Sequence, residues 1–208
     1  MTALVIVLIV VVLILLYLAY RFNHLIRLRT RTQEAWSDID VELKRRHDLI
    51  PNLVSTVQGY AAHERGVLEA VTAARTNAVA ASKTGDPSAM AGAEDALTGA
   101  THQLLAVAEN YPQLKASELF LNLQEQLTNT EDKVEFSRRF YNGNVRDFNT
   151  ALQTFPTNIY GRIMGFQPFA FFAAADSDRS APTVSFTPAT PTTQPPAAAP
   201  PPATAPPA

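Results

Sequence analysis

An unbroken apolar run, ALVIVLIVVVLILLYLAY from Ala3 to Tyr20, sets the first constraint on what this chain can fold into. Eighteen helical residues at about 1.5 Å each reach about 27 Å, close to the hydrocarbon thickness of a bilayer. A cleaved signal peptide needs a basic leading region and a small-x-small cleavage site. Only Met1 and Thr2 precede the run, and its end, Leu16 to Tyr20, holds no small-x-small pair. A retained single-pass anchor is therefore expected. A lipoprotein anchor is excluded, because the chain has no cysteine to acylate.

The charges beside the run give a direction. Arg21, Arg27, Arg29 and Arg31 follow it, and the first acidic residue is Glu34. The positive-inside rule puts that flank in the cytoplasm and the amino end outside. Tyr17, Tyr20 and Phe22 suit the headgroup region. A net charge of −2 gives no case for nucleic acid as a partner.

The remaining chain divides once more. No charged residue follows Arg179, and ten of the 15 prolines lie from Pro182 onward. Such a segment cannot build a core and is expected to be disordered and extended. Pro188 and Pro191 have PxxP spacing, but a solubilising spacer is the preferred reading. Three parts result: an anchor over residues 1–22, a helical body over 23–175 and a Pro/Ala/Thr-rich tail over 176–208.

The body reads as all-α. From Thr30 to Tyr60 an apolar stripe, Trp36, Ile39, Leu43, Ile50, Leu53, Val57 and Tyr60, recurs at helical spacing. It stays in phase across Pro51, which predicts a kinked helix rather than two helices. Nothing between Arg21 and Thr30 breaks a helix, so the anchor is expected to continue into the body. A joint falls at Gly59 to Gly66, and a second helix covers about His63 to Ser82. Thr84-Gly85-Asp86-Pro87 ends that helix and caps a third, Pro87 to Glu109. The fourth and longest carries a seam from Leu119 to Phe155, closed by Pro156. The expected fold is an antiparallel four-helix bundle with long first and last helices.

Residues able to carry chemistry are few. None of His24, His47, His63 or His102 follows a glutamate by three positions, so a bundle di-iron site is not expected. Neither GxSxG nor a phosphate-binding glycine loop occurs. No catalysis and no cofactor are expected. Two polar clusters form a candidate interaction surface. One holds Trp36, Asp38, Arg45, Arg46, His47, Asp48 and Asn52, and the other Asn122, Glu125, Asn129, Glu131, Arg138, Arg139, Tyr141 and Asn142. They face one another as a charged groove between the first and fourth helices, or they are ion pairs that fix bundle register, the preferred reading. IYGRIMGFQPFAFF, Ile159 to Phe172, either lies in the membrane interface or, as preferred, folds back over the bundle.

EAWSDIDVELKRRHDLIPNLV with GYAAHE, then NLQEQLTNTEDKV and RRFYNGNVRDFN, and finally APTVSF, resemble the LemA family. The resemblance covers about Arg21 to Phe186. It implies a bacterial protein with an amino-terminal anchor, a helical bundle, a short outside terminus and a cytoplasmic body. The family it resembles has no established enzymatic activity, so the resemblance adds no catalytic residue. Some relatives begin as lipoproteins, and this chain lacks the cysteine for that. The proline-rich extension also departs from the compact ending of the family. Two functions follow as expectations. The first is a scaffold or interaction module at the bacterial inner membrane, with the bilayer and other envelope proteins, or a second copy, as partners. The second is a ligand-sensing module with a pocket near Asp48 to Asn52 and Glu125 to Tyr141.

Overall fold

A computed structural model describes residues 1–173. The proline-rich tail and the APTVSF motif lie outside the described residues. The first helix, α1, spans Thr2–Tyr60 as one unbroken element of 59 residues that continues past Pro51. Its apolar amino-terminal part is long and apolar enough to cross a membrane, and none of it is buried against the rest of the protein. From Leu25 onward the same helix buries a face, with Leu25, Leu28, Ala35, Ile39, Leu43, Ile50, Leu53 and Val57 all inside.

Three further long or medium helices pack on that face. A short turn over 61–64 leads into α2, Arg65–Ser82. Gly85 takes a left-handed φ of 69°, a conformation that side chains resist, and reverses the chain. Asp86 then accepts the Ser88 amide at 3.0 Å, and α3, Pro87–Ala108, begins on a proline that needs no amide partner. A one-turn helix, α4, Pro112–Lys115, leads into α5, Glu118–Gln153. The short α6 is Thr157–Tyr160.

The body tapers, for a reason of length. The 18 residues of α2 and 22 of α3 reach about 27 and 33 Å, roughly half the body portion of α1. At the far end, α1, α2, α3 and α5 share one core around Leu53, Val71, Leu104 and Leu123. Farther down, Ile39, Leu43, Met90, Val134 and Tyr141 meet Phe172. Nearest the apolar segment only α1 and α5 remain, with Leu25, Leu28, Phe148 and Leu152 closed over by Phe166. The four-helix arrangement expected from the sequence thus holds over the far half, and two antiparallel helices hold the near half.

A strap completes the near half. Residues 166–172 leave α6 and run without helix back along α5, so this part of the aromatic segment folds over the bundle. Phe166, Phe169 and Phe172 stand three residues apart, and all three pack inward.

Candidate functional site

Pro51 creates the first polar demand. It has no amide to give to the carbonyl of His47, one turn back. Arg75 on α2 fills the gap, its Nε donating to that carbonyl at 2.7 Å. The proline is therefore tolerated inside α1 by a side chain from a neighbouring helix.

His47 and Arg46 point into the body. Arg46 is 4% exposed, and its guanidinium donates to Glu94 at 3.3 Å, Glu131 at 3.3 Å and the Thr98 hydroxyl at 2.6 Å. His47 Nε2 lies 2.6 Å from the other Glu94 oxygen. One carboxylate on α3 thus ties two adjacent residues of α1, and Arg46 reaches across to α5. Exposed His102 lies 3.6 Å from Glu131 and extends the set toward solvent. Beside it is a cleft of about 220 Å³ lined by Arg46, Glu94, Thr98, Glu131, Arg138 and Phe172, among others. Among the described residues, no group of three or more His, Cys, Asp or Glu stands close enough to hold a metal.

Three residues of the second expected cluster, Arg138, Tyr141 and Asn142, serve the strap. Asn142 donates to the Phe172 carbonyl at 3.1 Å and accepts the Phe172 amide at 2.9 Å. Asn149 does the same with Phe169, at 2.9 and 3.0 Å. Each asparagine offers one donor and one acceptor side by side, which lets it pair with extended backbone. The spacing fits as well. Seven helical residues rise about 10.5 Å, and three extended residues cover about 9–10 Å. Tyr141 donates to the Ala170 carbonyl at 2.9 Å, and burial pushes its phenol up to about 12. Arg138 donates to the Phe172 carbonyl, stands over that ring at 5.7 Å and pairs with Asp95 at 3.3 Å. Trp36 packs on the same place, 5.2 Å from the Tyr141 ring and 6.1 Å from Phe172.

The remaining candidates face outward on separate surfaces. Arg45, Asp48 and Asn52 line one shallow groove with Lys44 and Gln126. Glu125 and Asn129 line another, with Gln124 and Asp132. Asn122 binds Gln126 beside it on α5, and Arg139 pairs with Glu135 at 3.1 Å. Asp38 is exposed. Twelve of the fifteen residues thus divide among a buried charge cluster, a strap clamp and two open grooves rather than lining one, and Asp38, Asn122 and Arg139 stand outside all of these. Sequence reasoning missed Glu94, Arg75 and Asn149. Glu94 had a signal, a charge at an inward position between Met90 and Leu97.

On the outer face of α5, Phe136 and Phe140 are 67% and 51% exposed and lie parallel, with centroids 6.4 Å apart and an interplanar angle of 3°.

Over the described residues these features define an all-helical protein with one candidate membrane-spanning helix that continues into its body. Residues 35–186 match the LemA family, and the chain belongs to it. It is similar to magnetosome protein MamQ 2 of Paramagnetospirillum magneticum, 26% identical over 175 residues, 73% of this chain and 64% of that protein. MamQ of Magnetospirillum gryphiswaldense is 23% identical over the same shares. Protein LemA of Metamycoplasma hominis is 29% identical over 161 residues, 76% of this chain and 72% of that protein. The chain spans less than two thirds of the length of the magnetosome relatives it matches.

Proposed function

We propose that this protein is a non-catalytic interaction module tethered to the bacterial inner membrane, presenting its helical body to another envelope protein or to a second copy. The carrying observation is the exposed, parallel Phe136–Phe140 pair. A contiguous aromatic pair held in water marks a contact surface, since aromatics lead interface energetics. Its height separates it from lipid. Val134 and Tyr141 pack level with Ile39 and Leu43, about 20 helical residues or 30 Å beyond the end of the apolar run.

Arg21, Arg27, Arg29 and Arg31 support an orientation with the amino end outside and the body cytoplasmic. The small-molecule reading needs a pocket near Asp48 to Asn52 and Glu125 to Tyr141. There Asp48 and Asn52 line one shallow groove and Glu125 and Asn129 another, both too open to enclose a ligand. The more enclosed space is the cleft beside Arg46. That cleft, about 220 Å³, is below the roughly 300 Å³ at which ligand pockets begin, and its charges already pair with each other. The interaction reading therefore stands ahead of it.

A photocrosslinking residue at Phe136 in intact membranes tests the proposal. A discrete adduct is expected there and not from the same residue at Asp38. Equal, diffuse labelling at both positions would count against it. Protease added to spheroplasts tests orientation, and the body is expected to resist until the membrane is opened.

A further inference from the structure

We propose that the connection from Phe155 to Met164, between α5 and the strap, is a second membrane contact that sits in the headgroup–acyl boundary beside the transmembrane helix. The inference rests on the anchor reading and adds to it. Phe155, Ile159, Ile163 and Met164 are 72%, 61%, 83% and 58% exposed. Four large apolar side chains on one short connection form a patch that water does not favour. Their neighbour identifies the occupant. An apolar cleft of about 330 Å³ is lined by Leu18, Ala19 and Phe22 of α1 together with Tyr160 and Met164. The connection therefore stands at the level where the bare apolar segment ends and the body begins, and its surface is continuous with the surface that lipid would cover.

Charge agrees with that placement. Arg162 is the only charged residue between Asp147 and Asp176, and it is exposed. A lone arginine among apolar side chains can bury its stem and send its head to lipid phosphates. With the arginines that follow the apolar run, it surrounds the helix exit with positive charge.

Packing holds the connection at Gly161 and just beyond it at Phe166. Gly161 is buried, and a β-carbon there would lie 2.7 Å from the Thr157 carbonyl oxygen and 2.7 Å from Leu152 Cδ1. On the far side Phe166 is fixed between Phe22 and Phe148, with ring centroids at 5.9 and 6.4 Å. The strap thus anchors one end and α5 the other, leaving the apolar side chains aimed at the bilayer. A second contact beside the helix would set the tilt of the whole body.

The chain has no cysteine, so single labels can be placed cleanly. The test uses the full chain in phosphatidylcholine–phosphatidylglycerol vesicles, with an environment-sensitive fluorophore on Ile163→Cys, Leu8→Cys or His63→Cys. Doxyl groups at shallow or deep acyl positions act as quenchers. The Leu8 label is expected to be quenched by the deep group. The Ile163 label is expected to be quenched by the shallow group several times more than the His63 label, which lies at the far end of the body. If Leu8 is quenched but Ile163 only as weakly as His63, the inference is overturned and the anchor stands. If Leu8 is not quenched, the anchor reading fails and takes this one with it. A blue-shifted Ile163 label that lipid does not quench would mean that a second copy covers the patch, which also overturns the inference.

Discussion

Arg75 shows how one residue rescues another. Pro51 leaves the His47 carbonyl without its helical amide, and Arg75 supplies a donor 28 positions away. Removing a charged donor from such a group costs about 1–3 kcal/mol. Arg75→Met is therefore expected to destabilise the body by that order. In a Pro51→Ala background the helix recovers its own bond, and the same substitution should cost much less. Thermal unfolding in detergent for the four combinations measures this coupling, and equal costs in both backgrounds would show that the contact carries nothing. Tyr141 makes a second prediction. Its phenol is raised to about 12 from the ordinary 10 because it is buried. Below pH 10 the group is neutral in both states and its stabilising bond to Ala170 is intact. Above pH 10 the unfolded chain ionises first, so stability is lost as pH rises toward 12. The difference in stability between the protein and Tyr141→Phe should be flat up to pH 10 and then shrink. Helical geometry explains why the local sequence misled. Arg45, Arg46, His47 and Asp48 are adjacent in sequence, yet successive helical residues point about 100° apart. Two of them turn inward and two face the solvent.

At the scale of elements, the asparagine clamp gives the strap its place. If Asn142 and Asn149 were shortened, Phe169 would lose both of its backbone bonds to α5, and Phe172 would lose its amide bond and keep only Arg138 on its carbonyl. The double substitution to alanine is expected to free the strap before the helices, seen as rapid amide exchange over residues 166–173 with helicity unchanged. Asn144→Ala, which removes only a bond to the Phe140 carbonyl within its own helix, should leave strap exchange as it was. The helices themselves were legible because each declares itself locally. α3 begins at Pro87 as the Gly85-Asp86-Pro87 signal requires, and the seam of α5 matches its buried positions from Leu123 to Leu152. The continuity of the apolar run with the body was legible too, since no breaker stands between them. The clamp was not. It joins side chains at a seven-residue helical interval to backbone at a three-residue extended interval, and neither period alone reveals the pairing. Glu94 was overlooked for a related reason, as its partners lie 47 and 48 positions away.

For the whole molecule, the buried charge cluster decides how the α2–α3 hairpin is held. In the near half α1 and α5 pack on each other and on the strap without the hairpin, whereas in the far half all four helices share a core. Glu94 is the hairpin's polar link to both Arg46 and His47 of α1. Removing it leaves a buried guanidinium with only Thr98 and Glu131, and breaking one side of a buried pair costs about 3–5 kcal/mol. That loss should not spread evenly. α2 and α3 reach the near half only at the turn between them, so amides around Leu25, Leu28 and Phe148 should keep their protection in Glu94→Ala. Those of Val71, Leu97 and Leu104 should exchange about a hundredfold faster or more, the factor that corresponds to at least 3 kcal/mol. Uniform acceleration along the chain would show instead that the body unfolds as one unit and that the hairpin has no separate opening. The outcome bears on function, because a hairpin that opens by itself would uncover the inner faces of α1 and α5 while the membrane-proximal end stays folded.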